Sequence, residues 1–281
     1  MEFNLNENKP VIALLGAGCM GTAIVRRIAA GKTVLLGDIS EKKLEEAAKE
    51  LRYGGYEVVT HRVDASDRLS IRTFAEKAAS LGSVMVFIDT AGASPNQTAP
   101  EHIVDLDLIG TAYAIDEFAK VIAAGGAGLV ISSQTGYMMD FDTKIEKQLA
   151  LTPTDELAHL PFVKTDAVAN SGVAYIAAKR CNHLRVQVAT ATTWGARRAR
   201  INTISPGIIV TPLAYDEFEA AGEGYQQMIA ASPARRVGTA DEIAAAGAFL
   251  LSEEAASITG TDLLIDGGVI AAMKTGKLSI G

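Results

Sequence analysis

The sequence predicts an α/β fold, in which a doubly wound parallel sheet carries helices on both faces. Short, β-branched, apolar segments alternate with longer helical segments along the 281 residues, which is typical of parallel strands joined by helical crossovers. The strand segments are apolar throughout instead of alternating with polar residues, and this indicates a sheet buried on both faces. Because the sequence contains no internal repeat and no linker rich in Pro and Gly, residues 1–281 are expected to form a single domain.

Seven strands and five long helices follow from these patterns. The strands are expected at Val11–Leu15, Thr33–Gly37, Tyr56–Thr60, Val84–Asp89, Gly128–Ser132, Arg200–Ile204 and Asp262–Ile265. The helices are expected at Glu41–Leu51, Asp67–Ser80, Glu101–Ala124, Gly172–Thr193 and Ala240–Leu251. Seven parallel strands that alternate with helices would form one sheet between two helical layers.

The first strand is followed at once by a glycine-rich turn and a helix. The segment VIALLGAGCMGTAI places Gly16, Gly18 and Gly21 in the spacing GxGxxG. Such glycines let the chain turn tightly and approach a pyrophosphate, whose charge the helix N-terminus stabilises. The turn, which includes Cys19 and Met20, is therefore predicted to bind a dinucleotide. Cys19 is interpreted as a small residue at the helix start rather than a redox group.

Acidic residues follow the second and third strands. A carboxylate at Asp38 can accept hydrogen bonds from both ribose hydroxyls of NAD and would repel the 2′-phosphate of NADP, so NAD is favoured over NADP. Asp64 and Ala65 lie where such folds commonly cover the adenine. Asp67 or Ser66 could equally be a cap of the next helix.

Composition limits the remaining classes of function. The formal net charge of -7 and the pI of about 5.2 do not predict a nucleic-acid surface. The two cysteines provide neither a disulfide framework nor a metal-ligand spacing. The apolar runs are shorter than the roughly 18 residues that a membrane span needs. The segment MEFNLNENKP lacks a positive region followed by an apolar run, so no secretion signal is expected. We therefore expect no membrane partner and a cytoplasmic location.

Further motifs follow the later strands in a fixed order. They are DTAGASP after the fourth strand, ISSQTG after the fifth, Tyr175-x-x-x-Lys179, NTISPGIIVTPL after the sixth, and ASITGTDLLIDGG around the seventh. Together with the glycine turn, these motifs resemble those of the short-chain dehydrogenase/reductases over nearly the whole chain. The resemblance implies a Rossmann-like fold and NAD(H)-dependent interconversion of a secondary alcohol and a ketone.

The motif that corresponds to the family's catalytic residues contains Tyr175 and Lys179, which lie one helical turn apart. A tyrosine, whose ordinary pKa is about 10, is a poor base near neutral pH, but an ammonium group beside it favours the phenolate. The resemblance implies that Tyr175 transfers the proton of the alcohol and that Lys179 also binds the nicotinamide ribose. It also implies that Ser133, three residues before Gly136, holds the substrate oxygen, with Ser132 as the alternative.

The resemblance implies further cofactor contacts in two loops. Ala91 and Gly92 would let the backbone pass close to the adenosine ribose. The carboxamide of the nicotinamide would be held by Pro206, Gly207, Ile209 and Thr211.

Three features depart from the usual family pattern. In the glycine turn, Leu15 replaces a threonine of the family and the glycines fall as GxGxxG, but the backbone amides should still bind a pyrophosphate. Asp107 stands where the family usually has an asparagine that holds a proton-relay water. An aspartate could accept from the same water or pair directly with Lys179, and a structural role inside the helix is the alternative. Asp89 and Thr90 replace two asparagines of the family, and Asp89 is interpreted as a structural hydrogen-bonding group.

The chain between Ser133 and Tyr175 is about thirty residues longer than the family commonly has, and long loops often serve binding. The segment 137–171 is therefore predicted to be an insertion with one or two short helices, like that of some hydroxysteroid dehydrogenase/carbonyl reductases. Candidate substrate contacts, or members of the insertion's own core, are Tyr137, Met138 and Phe162.

A second candidate substrate region is the segment 214–231, which follows the expected carboxamide contacts. Tyr225 in this segment could close over the substrate or belong to an ordinary surface helix. No arginine in the insertion offers a contact to a carboxylate or phosphate. The expected substrate is therefore a small uncharged or bulky apolar alcohol or ketone, such as a steroid or bile acid.

The sequence also predicts association between subunits. The helices Glu101–Ala124 and Gly172–Thr193 carry wide apolar faces, which in the family pair between subunits, so a homotetramer or homodimer is expected. These faces could instead pack only on the sheet.

A non-catalytic dinucleotide-sensing protein would not need Ser133, Tyr175 and Lys179 together. An epimerase or dehydratase of the same superfamily usually has a larger C-terminal substrate region.

Overall fold

A parallel sheet of seven strands forms the centre of the structure. The computed structural model describes residues 9–96, 98–164, 168, 170–211 and 223–278. The strands are β1 Pro10–Leu15, β2 Thr33–Asp38, β3 Glu57–Arg62, β4 Ser83–Asp89, β5 Ile122–Ile131, β6 Arg200–Pro206, β7 Ile209–Val210, β8 Gly238–Thr239 and β9 Asp262–Ile265. The sheet has the order β3-β2-β1-β4-β5-β6-β9, and β7 pairs with β8 separately. The predicted Rossmann-like fold is confirmed.

Helices connect the strands and cover both faces of the sheet. They are α1 Cys19–Ile28, α2 Glu41–Tyr53, α3 Arg68–Leu81, α4 Pro100–Ile103, α5 Thr111–Val121, α6 Thr143–Leu151, α7 Ser171–Ala191, α8 Thr193–Ala196, α9 Glu223–Ala231, α10 Ala240–Leu251 and α11 Val269–Lys274. A π-helix spans Val104–Gly110, and 3-10 helices span Gln134–Tyr137, Thr154–His159 and Glu253–Ala255. Asp67 caps α3, because its carboxylate accepts hydrogen bonds from the backbone N–H groups of Leu69 and Ser70.

The long helix predicted at Glu101–Ala124 is wrong in two respects. It is divided into α4, the π-helix and α5, and it ends at Val121. Ile122 already belongs to β5, where it pairs with Val84 of β4. Gly125 follows with a φ of 80°, a conformation that helices do not contain. The apolar run Val121–Ala124 therefore passes from a helix directly into a buried strand, a change that its composition does not mark.

Two apolar clusters fill the space between the sheet and its helices. On one face, α1, α2 and α10 pack on the sheet through residues such as Ile24, Leu51 and Ile243. On the other face, α3, α5 and α7 surround Phe118 and Trp194, which are fully buried. Burial of each such side chain contributes about 1.5–3 kcal/mol. The two clusters hold the carboxyl ends of the strands in place, and these ends form the site described below.

A third apolar cluster joins the segment 137–171 to the outer faces of the preceding and following helices. Leu149, Leu157 and Leu160 of this segment are buried against α4, the π-helix and α7. Polar contacts fix the same segment: Arg185 donates to the carbonyl of Thr152 (2.7 Å), and Thr154 donates to Asp116 of α5 (2.6 Å). The segment therefore packs as part of the folded chain.

Part of the two apolar helix faces is covered within the chain. These faces, on the helices predicted at Glu101–Ala124 and Gly172–Thr193, include Ile109 and Leu184. Both side chains are buried in the same apolar cluster as the segment 137–171. The expected homodimer or homotetramer stays a prediction. Within the described ranges, no helix is both long and apolar enough for a membrane span.

Candidate active site

The glycine turn after β1 forms a cradle at the N-terminus of α1. Gly16 has a φ of 90°, and a Cβ atom there would lie 2.6 Å from the backbone nitrogen of Ala91. A Cβ atom on Gly21 would lie 2.6 Å from Leu14, so neither position has room for a side chain. Gly18 differs, because a Cβ atom there would have no neighbour within 4 Å. The turn is thus closed towards the protein and open at Gly18, which fits a pyrophosphate.

Asp38 lies beside this cradle. Its Oδ2 accepts a hydrogen bond from the backbone nitrogen of Ala17 at 3.0 Å, and its Oδ1 accepts one from Ser40 at 2.9 Å. The carboxylate is therefore fixed at the edge of the glycine turn, where a ribose attached to a bound pyrophosphate would lie. The residues present fit a dinucleotide, which would be held by the glycine turn and Asp38.

Two other predicted contacts of the cofactor lie in the loop after β3. Asp64 uses its Oδ1 to accept hydrogen bonds from the backbone nitrogen and hydroxyl of Ser66, which hold the pKa of Asp64 below its ordinary value. The carbonyl of Ala65 packs on Gly110, where a Cβ atom would lie only 2.1 Å away. The loop is therefore fixed in shape, and its contact with adenine stays a prediction.

Cys19 and Met20 begin α1 and have different surroundings. Burial raises the pKa of the Cys19 thiol, which therefore does not resemble a reactive thiolate. Met20 lines a cavity that also contains Tyr175. The side chain of Met20 thus connects the glycine turn with the predicted catalytic residues.

Tyr175 and Lys179 lie on one face of α7. The helix begins after Asn170, whose side chain caps it by accepting a hydrogen bond from Val173 (2.9 Å). The Nζ atom of Lys179 lies 5.0 Å from the centroid of the Tyr175 ring. Lys179 is almost completely buried. The helix therefore places an ammonium group beside the phenol, as the motif predicted.

Asp107 pairs directly with Lys179, one of the two chemical roles that its sequence position left open. Lys179 donates a hydrogen bond from Nζ to Oδ1 of Asp107 at 2.8 Å, and Oδ2 of Asp107 accepts one from the backbone nitrogen of Ala93 at 2.9 Å. Burial lowers the pKa of Lys179, but the charges of Asp107 and Tyr175 and the hydrogen bond to Asp107 outweigh it, so the net shift is upward. Lys179 is therefore an ammonium group at all physiological pH values.

The two serines after β5 have different partners. Ser132 is buried and donates its hydroxyl hydrogen to the backbone carbonyl of Lys179 at 2.9 Å. Ser133 lines the same cavity as Tyr175, and its Oγ accepts a hydrogen bond from the backbone nitrogen of Thr135 at 3.2 Å. Both serines belong to the lining of this cavity, but the hydroxyl hydrogen of Ser132 is engaged with α7, which favours Ser133 as the contact to a substrate oxygen.

These groups meet at a cavity of about 200 Å³ at the carboxyl ends of β5 and β6. Its lining contains Met20, Ala93, Pro95, Ser132, Ser133, Gln134, Thr135, Met138, Tyr175, Pro206, Gly207, Ile208, Ile209, Thr211, Tyr225 and Met228. The predicted carboxamide contacts all belong to this set, as do Met138 and Tyr225. No Asp, Glu, Lys or Arg side chain occurs among the described residues that form the lining. Residues 214–222 of the segment predicted to close over the substrate lie outside the described residues.

Two predicted substrate contacts, Tyr137 and Phe162, are directed elsewhere. Tyr137 donates a hydrogen bond to Oδ2 of Asp262 at 2.7 Å, and burial together with this bond raises the pKa of its phenol. Phe162 packs edge-on against Phe141, with ring centroids 5.3 Å apart, beside the third apolar cluster. Both side chains therefore stabilise the fold around the site without lining the cavity.

The pattern of motifs did not identify Gln134 as part of the site. Gln134 is buried in the cavity wall, and its Oε1 has no hydrogen-bond partner among the described residues. A Cβ atom on Gly207 would lie 3.1 Å from this oxygen. An amide or hydroxyl donor of a bound molecule would satisfy it. The signal in the sequence was its position directly after Ser133.

The chain is similar to known proteins over nearly its whole length. Residues 10–142 match the family model for short chain dehydrogenase, and residues 154–270 match the model described as Enoyl-(Acyl carrier protein) reductase. The short-chain dehydrogenase/reductase bsc3 of Alternaria brassicicola is 40% identical over 267 residues, which cover 94% of this chain and 97% of its own. An NADP-dependent mannitol dehydrogenase of Hypocrea jecorina is 30% identical over 243 residues, covering 82% and 77% of the two chains.

A solved structure extends the comparison to the fold. The 7α-hydroxysteroid dehydrogenase in complex with NADH and 7-oxo glycochenodeoxycholic acid superposes with a TM-score of 0.73. The alignment covers 95% of this chain and 98% of the other, at 20% identity. Since the sequence relative of 40% identity also spans nearly both chains, the protein belongs to the short-chain dehydrogenase/reductase family.

Proposed function

We propose that this chain is an NAD(H)-dependent dehydrogenase/reductase that interconverts a secondary alcohol and its ketone. The observation that carries the proposal is the shared cavity, in which Ser133 and Tyr175 lie together with residues of the expected cofactor loops. Lys179 lies beside Tyr175, with its Nζ atom 5.0 Å from the centroid of the Tyr175 ring. Polar groups that converge on one apolar cavity are typical of a catalytic site.

The proposed chemistry moves one proton through the side chains of this chain. The hydroxyl of Ser133 binds the oxygen of the substrate and orients it towards Tyr175. In alcohol oxidation, the Tyr175 phenolate accepts the hydroxyl proton, and in ketone reduction the phenol returns it. The Lys179 ammonium stabilises the phenolate electrostatically and would bind the nicotinamide ribose. A bound nicotinamide, which Pro206, Gly207, Ile209 and Thr211 would hold, would supply the acceptor or donor of the hydride at the carbinol carbon and so complete the balance of the reaction.

The proposed cofactor is NAD rather than NADP. The support is Asp38, because its carboxylate is held by the amides of Ala17 and Ser40 at the edge of the glycine turn. A 2′-phosphate bound there would meet a fixed negative charge. The mannitol dehydrogenase named above is NADP-dependent, so the proposal for this chain rests on Asp38 and not on its relatives.

The proposed substrate is an uncharged, largely apolar alcohol or ketone, with hydroxysteroids and bile acids as the leading class. Support comes from the lining of the cavity, to which Pro95, Met138, Tyr225 and Met228 contribute. Methionine side chains adapt to the shapes of bulky apolar ligands. Ser133 and Gln134 of the same lining provide polar contacts for one oxygen of the ligand.

A screen coupled to NAD tests the proposal. The purified chain is incubated with NAD and hydroxysteroids, bile acids, sugar alcohols or aryl carbinols, and NADH formation is followed at about 340 nm. A fitting alcohol should be oxidised, and Tyr175→Phe should lower kcat by about 10²-fold or more while NADH binding persists. Activity retained in Tyr175→Phe contradicts the assigned role. Tight NADH binding without turnover of any compound would favour a dinucleotide-sensing function.

A further inference from the structure

Lys179 and two carboxyl groups are buried around the loop that follows β4. Asp107 forms the hydrogen-bonded pair with Lys179 described above, and Asp89 is the last residue of β4. The exposed fractions are 2% for Asp89, 0% for Asp107 and 3% for Lys179. One buried ammonium group therefore shares this region with two groups that would each be negative when ionised.

The two carboxylates hold opposite ends of one short loop. Oδ1 of Asp89 accepts a hydrogen bond from the backbone nitrogen of Ala91 at 3.1 Å, and Oδ2 of Asp107 accepts one from Ala93 at 2.9 Å. Between them passes Gly92, where a Cβ atom would lie 2.8 Å from Oδ1 of Asp107 and 3.4 Å from Nζ of Lys179. The loop therefore joins Asp89 to the Asp107–Lys179 pair, and neither carboxyl group can turn away without losing its contact to the backbone.

Asp89 can change its charge near neutral pH. Burial raises the pKa of Asp89 to about 7; the Ala91 amide and Lys179 oppose this shift, and the charge of Asp107 adds to it. The charged groups that act on Asp89 are Asp107 from the π-helix and Lys179 from α7. On α7, Tyr175 and His183 interact in turn with Lys179.

We propose that Asp89 is a positioning residue whose protonation state sets the charge around Lys179 and thereby the ease with which Tyr175 ionises. With Asp89 protonated, Asp107 alone balances the ammonium, and the phenolate is more strongly favoured. When Asp89 loses its proton to solvent, the second negative charge opposes the phenolate. Its catalytic meaning rests on the proposed function, whereas the titration itself is a property of the protein alone.

The ionisation of Tyr175 can be measured without a substrate. Tyrosinate absorbs at about 295 nm, and subtraction of the Tyr175→Phe titration isolates Tyr175 from the other tyrosines. In Asp89→Asn, Tyr175 should ionise with an acid dissociation constant at least about threefold larger than in the wild type. Asp105→Asn removes an exposed carboxylate on the same π-helix as Asp107 and should leave the curve unchanged. Superimposable Tyr175 curves for the wild type and Asp89→Asn would overturn the proposal.

A second measurement decides the matter if Asp89→Asn does not fold. The infrared carbonyl stretch of the wild-type protein should show a protonated buried carboxyl group that disappears as the pH rises through about 7. If no such band titrates, the proposal is wrong. Failure of the proposed function has a different signature, because the alcohol screen would then show no turnover while both titrations could still be recorded.

Discussion

The Nζ atom of Lys179 lies 2.8 Å from Oδ1 of Asp107, and both side chains are buried. A buried ion pair gains attraction but loses the hydration of both charges, so its net contribution to stability is small. Its effect on Tyr175 is more direct, because the carboxylate offsets part of the positive charge that favours the phenolate. We therefore expect the pair to affect the ionisation of Tyr175 more than the stability of the fold.

Asp107→Asn should move alcohol oxidation to lower pH. An asparagine can keep an oxygen acceptor for the Ala93 amide but removes the charge that offsets Lys179. We expect the rising limb of kcat/KM for oxidation to move down by about half a unit to one unit. Profiles recorded at saturating NAD test this, with Asp105→Asn as the exposed control. An unchanged profile would mean that Asp107 serves only the loop.

Asp38→Asn should reduce the discrimination between NAD and NADP. The asparagine retains an oxygen acceptor for the Ala17 and Ser40 amides and removes the negative charge. NADH should bind about tenfold more weakly, equivalent to about 1.4 kcal/mol, and NADPH more tightly. Fluorescence titration with both reduced cofactors measures these changes. Glu41→Gln, an exposed change of the same charge on α2, is the control, and equal effects of the two variants would contradict the role of Asp38.

Gly92→Ala should disturb catalysis more than folding. Its Cβ atom would lie 2.8 Å from Oδ1 of Asp107, so the ion pair must shift. We expect kcat to fall about tenfold or more, which corresponds to about 1.4 kcal/mol in the barrier. Full activity of Gly92→Ala, with an unchanged circular dichroism spectrum, would refute the dependence on this contact.

Glu117→Gln should make the fold less stable above about pH 5. Burial raises the pKa of Glu117, but hydrogen bonds from Lys120, Arg68 and Arg72 outweigh it and lower the pKa to about 2. Because the folded pKa lies below the unfolded value of 4.5, this stabilisation is complete above about pH 5 and is lost as the pH falls towards 2.

The expected loss in the free energy of unfolding is about 3 kcal/mol at pH 7, with a smaller loss at pH 3. Urea unfolding at both pH values measures it. Glu254→Gln, at an exposed position, should change neither. If the loss for Glu117→Gln were the same at pH 3 and pH 7, the ion-pair network would not be its cause.

Local patterns were sufficient to predict much of the fold. The apolar strand segments and the glycine turn each depend on neighbouring residues, and the sheet confirms them. The direct pairing of Asp107 with Lys179 was one of the possibilities that the sequence left open. Their spacing in the chain did not indicate which possibility holds, because the contact joins two helices.

Other features depend on contacts between distant parts of the chain and could not be predicted. Tyr137 does not line the cavity because its hydroxyl donates a hydrogen bond to Asp262, on the last strand of the sheet. Phe162 has Phe141 as its partner inside the same segment. The burial of Leu184 beneath that segment was equally hidden, since an apolar helix face looks the same whether a neighbouring segment or another subunit covers it.

The hydrogen bond from Ser132 to the carbonyl of Lys179 bears on how substrate preference can differ between related chains. Successive residues of an extended chain point to opposite sides, so fixing Ser132 on α7 also fixes the direction of Ser133. The separation between Ser133 and Tyr175 is thereby set by a strand end and a helix, independently of the long segment that joins them in sequence. Changes in that segment can reshape the outer wall of the cavity while the reacting groups keep their spacing.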